Sequence, residues 1–95
     1  MDLDDWRLKI NELDASLIHL LNERAKCALA IGEIKREIGQ PIYDPVREAW
    51  ILDKVAEKNP GPLEPDAIKR LFERIIDESR RLERRLSGEG AAPTE

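Results

Sequence analysis

Residues 3–38 read LDDWRLKINELDASLIHLLNERAKCALAIGEIKREI, and this stretch decides the fold. Leu3, Trp6, Ile10, Leu13, Leu17, Leu20, Arg24, Cys27, Ile31, Ile34 and Ile38 follow one another in alternating steps of three and four, the spacing that draws one stripe down an α-helix. Arg24 interrupts that stripe. A guanidinium on a buried seam is costly unless an anion meets it, so a fixed carboxylate or a bound anionic ligand is expected there. Lys35 lies three helical turns further on, on nearly the same face. Two cations therefore point inward along one wall.

The stripe also bears on assembly. A helix from Asp4 or Asp5 to Ile38 runs roughly 50 Å at 1.5 Å per residue. A compact chain of this length is only about 30–35 Å across, taking the diameter as near 2.6 times a radius of gyration of about 12 Å. One protomer cannot cover such a helix, and a two-fold symmetric dimer is the simplest way to bury the excess stripe.

Ninety-five residues make one small domain, and the single cysteine excludes an internal disulfide. Cys27 lies on the apolar stripe and is expected to be a buried small hydrophobe rather than a reactive thiol. The acidic start Met1-Asp2-Leu3-Asp4-Asp5 lacks the basic and apolar regions of a secretory signal. No apolar run reaches membrane-spanning length, so the chain reads as soluble and cytoplasmic. Charged residues make up 38% and the net charge is −4, a balance that argues against nonspecific nucleic-acid binding. The one basic cluster, Arg80, Arg81, Arg84 and Arg85, alternates with Glu78 and Glu83 and reads as a solvated helix face.

Punctuation divides the chain into three helices, long, short and long. The first stops at Gly39-Gln40-Pro41. Asp44-Pro45 is an N-cap followed by proline at the first helical position, and the second helix ends near Lys58 before Asn59-Pro60-Gly61-Pro62. The third starts near Pro65-Asp66 and carries Ile68, Phe72, Ile75, Ser79, Leu82 and Leu86 in the same rhythm. The domain therefore spans residues 1–87, and residues 88–95 read as a disordered tail or linker. There is no strand-like alternation, so the fold class is all-α.

Polar residues on inward faces mark the candidate site. Each has an ordinary structural explanation. Arg24 could pair with Glu48 or another acid, Lys35 could lay its stem on the seam and reach water, Ser79 could bond back to its own helix, and Glu83 could pair with nearby arginines. Their convergence on the two long helices favours a ligand site. Asp44, Arg47 and Glu48 add a cap and a first turn, where a cation opposes the helix dipole, so something negative is expected to hold Arg47. The whole set suits a small dianion. His19 has no serine or cysteine at triad spacing, and no clustered His or Cys suggests a metal. Electrostatic catalysis remains, in which fixed cations orient a substrate and stabilise developing charge.

These residues resemble the all-α (AroQ-type) chorismate mutases. The likeness runs from Leu3 to Leu86 through Trp6-Arg7-Leu8-Lys9-Ile10, Leu20-Leu21-Asn22-Glu23-Arg24, Ile31-Gly32-Glu33-Ile34-Lys35, Pro41-Ile42-Tyr43-Asp44-Pro45-Val46-Arg47-Glu48 and Leu71-Phe72-Glu73-Arg74-Ile75-Ile76, leading to Ser79 and Glu83. It implies a three-helix fold in an intertwined homodimeric bundle that isomerises chorismate to prephenate, in phenylalanine and tyrosine synthesis, without cofactor or metal. By the same resemblance Arg7 is donated across the dimer interface and grips substrate carboxylates with Arg24, while Ser79 and Arg47 help at the ring carboxylate. Glu48 and the backbone near Asp44 meet the ring hydroxyl, and Lys35 and Glu83 face the breaking ether bond. Some members carry glutamine at the Glu83 position, and some a basic residue at Tyr43, which is expected to be a surface change.

Two other readings stay open on the sequence. Isochorismate-pyruvate lyases share this bundle and much of its cationic pocket. A non-catalytic dimerisation or regulatory module, fused to or associated with another aromatic-pathway enzyme, is the third.

Overall fold

The structure is a computed structural model and describes residues 1–87. The expected tail, residues 88–95, lies outside the described residues. Three helices follow one another: α1 (Leu3–Ile38), α2 (Pro45–Lys58) and α3 (Pro65–Ser87). The start of α1 falls slightly earlier than expected. Asp2 is the cap, its side chain accepting from the Asp5 N–H at 2.9 Å while Asp5 accepts from the Asp2 N–H at 3.1 Å. Both ends of this reciprocal box are acidic, as the helix dipole favours. At the other end Gly39 adopts φ 73°, which side chains resist, and lets the Gln40 N–H reach the Lys35 carbonyl at 2.8 Å.

Asp44 caps α2 as expected, accepting from the Arg47 N–H at 3.1 Å with Pro45 in the first turn. Asn59 closes α2 and folds the connection back. Its side chain donates to the Leu63 carbonyl at 2.6 Å and accepts from the Gly61 N–H at 3.3 Å.

Helix α3 packs against both α1 and α2. It meets α1 along a line of small residues, Ala28 and Gly32 being buried there, with Ile76 of α3 and Ile42 of the connection completing the small core. That line is offset from the predicted stripe. One residue along a helix is 100° of rotation, so the stripe itself is left largely uncovered: Leu3, Trp6, Ile10, Leu13, Leu17, Leu20, Ile31, Ile34 and Ile38 are 51–63% exposed. Cys27, expected to be buried, is exposed for the same reason. The protomer measures 53 × 30 × 24 Å with a radius of gyration of 16.6 Å, against about 12 Å for a compact chain of this length. Among the described residues no helix is long and apolar enough to cross a membrane.

Asp44→Ala is expected to destabilise the fold by about 1 kcal/mol through loss of the α2 cap, and Asp44→Asn by much less. On a domain of this size that lowers Tm by roughly 4–8 °C. Thermal unfolding followed by circular dichroism at fixed protein concentration checks it.

Candidate active site

A cavity of about 250 Å³ opens between the C-terminal half of α1, the connection at residues 42–44, the start of α2 and the second half of α3. Arg24, Lys35, Asp44, Arg47, Glu48, Ser79 and Glu83 all line it. Arg7 does not. It stands 17 residues before Arg24 on the same helix, about 25 Å away at 1.5 Å per residue, and is exposed with only a loose contact to Asp4 at 3.9 Å. A larger groove of about 600 Å³ runs along the α1–α3 contact, floored by Leu21, Ala25, Ile75 and Leu82, and shares only Ser79 with the cavity. The smaller space therefore holds the candidate chemistry.

Arg24 makes no ion pair among the described residues. The expected partner Glu48 is taken by Arg80 at 2.9 Å, and Arg24 instead donates from Nη1 to Ser79 Oγ at 3.0 Å. The Ser79 hydroxyl donates to the Ile75 carbonyl at 3.0 Å. The serine hydroxyl thus does both jobs open to it, bonding back to its helix and accepting from the arginine. Most of the guanidinium remains for an anionic ligand. Lys35 is half-buried. Its ammonium donates to the Ile42 carbonyl at 3.0 Å, which leaves two of its three N–H groups.

Arg47 is held by an aromatic ring rather than by an acid, a correction to the expectation. Its guanidinium lies 4.5 Å from the centroid of the Trp50 indole, one of the stronger platforms for a cation. Asp44, three residues earlier, serves as the α2 cap. Arg47 makes no ion pair among the described residues.

Glu83 is the unusual acid. Its Oε2 is shielded from solvent and has no hydrogen-bond partner. Burial raises its carboxyl above the ordinary 4.5, while Lys35, Arg24, Arg80 and Arg84 pull the other way. Gly32 makes room for it, since a Cβ there would stand 3.3 Å from both Cγ and Oε2 of Glu83. The expected alternative, a surface acid paired with arginines, does not describe this side chain.

One lining residue escaped the sequence reading. Arg80 belongs to a basic run that alternates with acids and so looks solvated, yet it turns into the cavity wall. The signal available was its position, next to Ser79 and one turn before Glu83. Four cations, Arg24, Lys35, Arg47 and Arg80, thus share the cavity with three acids. One acid caps a helix, one is matched by Arg80, and one is pushed toward its neutral form. A net excess of positive charge remains for a small dianion.

Comparison with known proteins agrees with this geometry. Residues 6–84 match the family described as chorismate mutase type II. The chain is 39% identical over 85 residues to the bifunctional chorismate mutase/prephenate dehydratase of Pseudomonas aeruginosa, across 84% of this chain and 23% of that one. It therefore spans about a quarter of that relative. It is 34% identical over 84 residues to the chorismate mutase of Methanocaldococcus jannaschii, across 86% of this chain and 84% of that one. The crystal structure of chorismate mutase from Helicobacter pylori in complex with prephenate superposes with a TM-score of 0.83 at 30% identity, covering 94% of this chain and 97% of that one. With its three helices, its cation-rich cavity and a match that spans most of its length, the chain belongs to the chorismate mutase type II family.

Proposed function

We propose that this chain is a chorismate mutase, converting chorismate to prephenate for phenylalanine and tyrosine synthesis as a cytoplasmic, intertwined homodimer. The observation that carries this reading is the cavity itself. It brings together Arg24, Lys35 and Arg47, none in an ion pair among the described residues, with an acid whose ionisation is disfavoured. Such an inventory suits a dianion that must be folded and then stabilised.

The rearrangement needs the enolpyruvyl arm of chorismate laid over its ring, and clamping both carboxylates selects that conformer. Arg24 and Arg47, with Ser79, are assigned to this grip. Glu48 and the backbone near Asp44 are assigned to the ring hydroxyl. As the C–O bond breaks and the new C–C bond forms, negative charge grows on the ether oxygen. Lys35 gains more attraction there in the transition state than in the ground state, and Glu83 adds a hydrogen bond while it keeps its proton. Both act without proton transfer, so no general base is required.

The dimer is supported by the uncovered apolar stripe of α1, since a contiguous exposed apolar face marks an interaction surface. It is also supported by Arg7, which is too far along α1 to serve its own cavity. We assign Arg7 to the partner's site, where it grips a substrate carboxylate. The prephenate formed is a substrate for a dehydratase, the second activity named for the bifunctional relative, and association with such an enzyme is part of the proposal.

Prephenate from chorismate, measured beside pyruvate release from isochorismate, tests the reaction; pyruvate from isochorismate at higher efficiency would make the site a lyase. Lys35→Ala is expected to lower kcat about 100- to 1000-fold with a much smaller change in KM, and a change in KM alone would refute the assigned role. Turnover should fall as pH rises through the Glu83 titration, above the ordinary 4.5, and Glu83→Gln should remove that limb. An acid with a raised folded-state pKa loses stability as pH rises from the unfolded value through the folded one, so Glu83→Gln should be more stable than wild type at high pH and converge with it below 4.5. Finally, mixing inactive Arg7→Ala and Arg24→Ala chains should restore roughly a quarter of wild-type activity, because half the dimers are mixed and each has one intact site. No recovery would exclude the shared site.

A further inference from the structure

We propose that Arg80 is a positioning residue of this site: its guanidinium, steadied by Tyr43 and Asp77, holds the Glu48 carboxylate at the cavity wall where α2 meets α3. The inference rests on the reading of the cavity as a chorismate site. Arg80 Nε lies 2.9 Å from Glu48 Oε2 and Nη2 lies 3.7 Å from Asp77 Oδ1. The guanidinium carbon stands 5.2 Å from the centroid of the Tyr43 ring. Tyr43, expected to be a surface change, is indeed exposed and is also the platform beside the arginine.

The pair differs from the other ion pairs of the chain. The Arg80 and Glu48 side chains are 25% and 20% exposed, whereas Lys69 and Asp53, which also join α3 to α2, are 39% and 78% exposed. Exposed pairs of that kind contribute little and are screened by salt. A shielded pair at a helix contact fixes geometry, and removing one partner leaves the other charge stranded. The contact uses one carboxylate oxygen of Glu48, which leaves the second for a ligand hydroxyl.

The geometry has slack in it. Arg80 Nε is shielded from solvent and within ion-pair distance of Oε2, yet its N–H is not aimed along a hydrogen bond. A hydroxyl on Glu48 would draw that carboxylate into line with the arginine.

Arg80 also links Glu48 to Glu83, since its charge acts on Glu83 one turn further along α3. Around Glu83 stand Arg24 and Lys35 from α1, Arg80 and Arg84 from α3, and Glu48 and Asp44 across the cavity. Lys26, Glu33 and Arg36 line the neighbouring space on the far side of Glu83. Removing Arg80 takes away one cation that favours ionised Glu83.

The test is a double-mutant cycle in the full chain with chorismate as substrate. Arg80→Met keeps the stem and removes the charge. It is expected to lower kcat/KM about tenfold, mostly through KM, and by less than about twofold when Glu48 is already glutamine. Arg80→Lys should recover part of the loss, and the alkaline limb of kcat should move to higher pH in Arg80→Met. Equal losses in the two Glu48 backgrounds, or an unchanged Arg80→Met enzyme beside an active wild type, would overturn the proposal. The Arg80 Nε–H proton signal in NMR reads the same contact without turnover. A slowly exchanging signal that collapses in Glu48→Gln supports the pair even if chorismate is not the substrate. A wild-type signal averaged with the solvent-exposed arginines overturns it.

Discussion

A helix of 36 residues is longer than the rest of this chain can wrap. Helix α1 determines the 53 Å extent of the protomer, and α3 is only 23 residues long. The two later helices therefore cover only part of α1, and a line of apolar residues is left facing solvent. That shortfall governs both assembly and site. It leaves a surface suited to a second copy, and it places Arg7 about 25 Å from the cavity formed by its own chain. In the proposed dimer one excess resolves the other, because the helix that seeks cover also delivers the missing cation.

Inside the cavity the governing constraint is charge. Arginine and lysine on an inward helix face are costly unless something answers them, and the fold answers them only partly. Ser79 takes one bond from Arg24, the Ile42 carbonyl one from Lys35, and the Trp50 ring lies under Arg47. Each of these holds a side chain in place without neutralising it. The carboxylates that could have done so are committed to a helix cap or to Arg80, or are disfavoured as anions by burial. A site built this way keeps its positive charge for the ligand, and its groups need little reorganisation when charge shifts during reaction.

Small residues decide how closely these charges can approach. Ala28 and Gly32 let α3 come against α1, and at Gly32 the absence of a side chain leaves the space that Glu83 occupies. One carboxylate oxygen of Glu83 is thereby shielded from water while the group lies near Lys35 and Arg24. The character of this acid comes from a glycine on another helix, 51 residues earlier in the chain.

The three helices were legible in the sequence because their signals are local: a three-four rhythm, a glycine stop and Asp44-Pro45 as a start each act within one or two turns. The inward-facing polar residues were legible for the same reason, since a charge on an apolar stripe is visible without knowing its partner. Partners were another matter. That Glu48 goes to Arg80 rather than Arg24, that Arg47 rests on Trp50, and that Tyr43 lies under Arg80 depend on how α2 and α3 sit against each other. No spacing along the chain encodes that. Sequence alone determined the helices and the polar residues that interrupt their apolar faces, because both follow from the 3.6-residue period; only the tertiary structure decided which face of α1 meets α3, which cations make no ion pair among the described residues and which acid has its pKa raised by burial, because each depends on distances between residues remote in the chain.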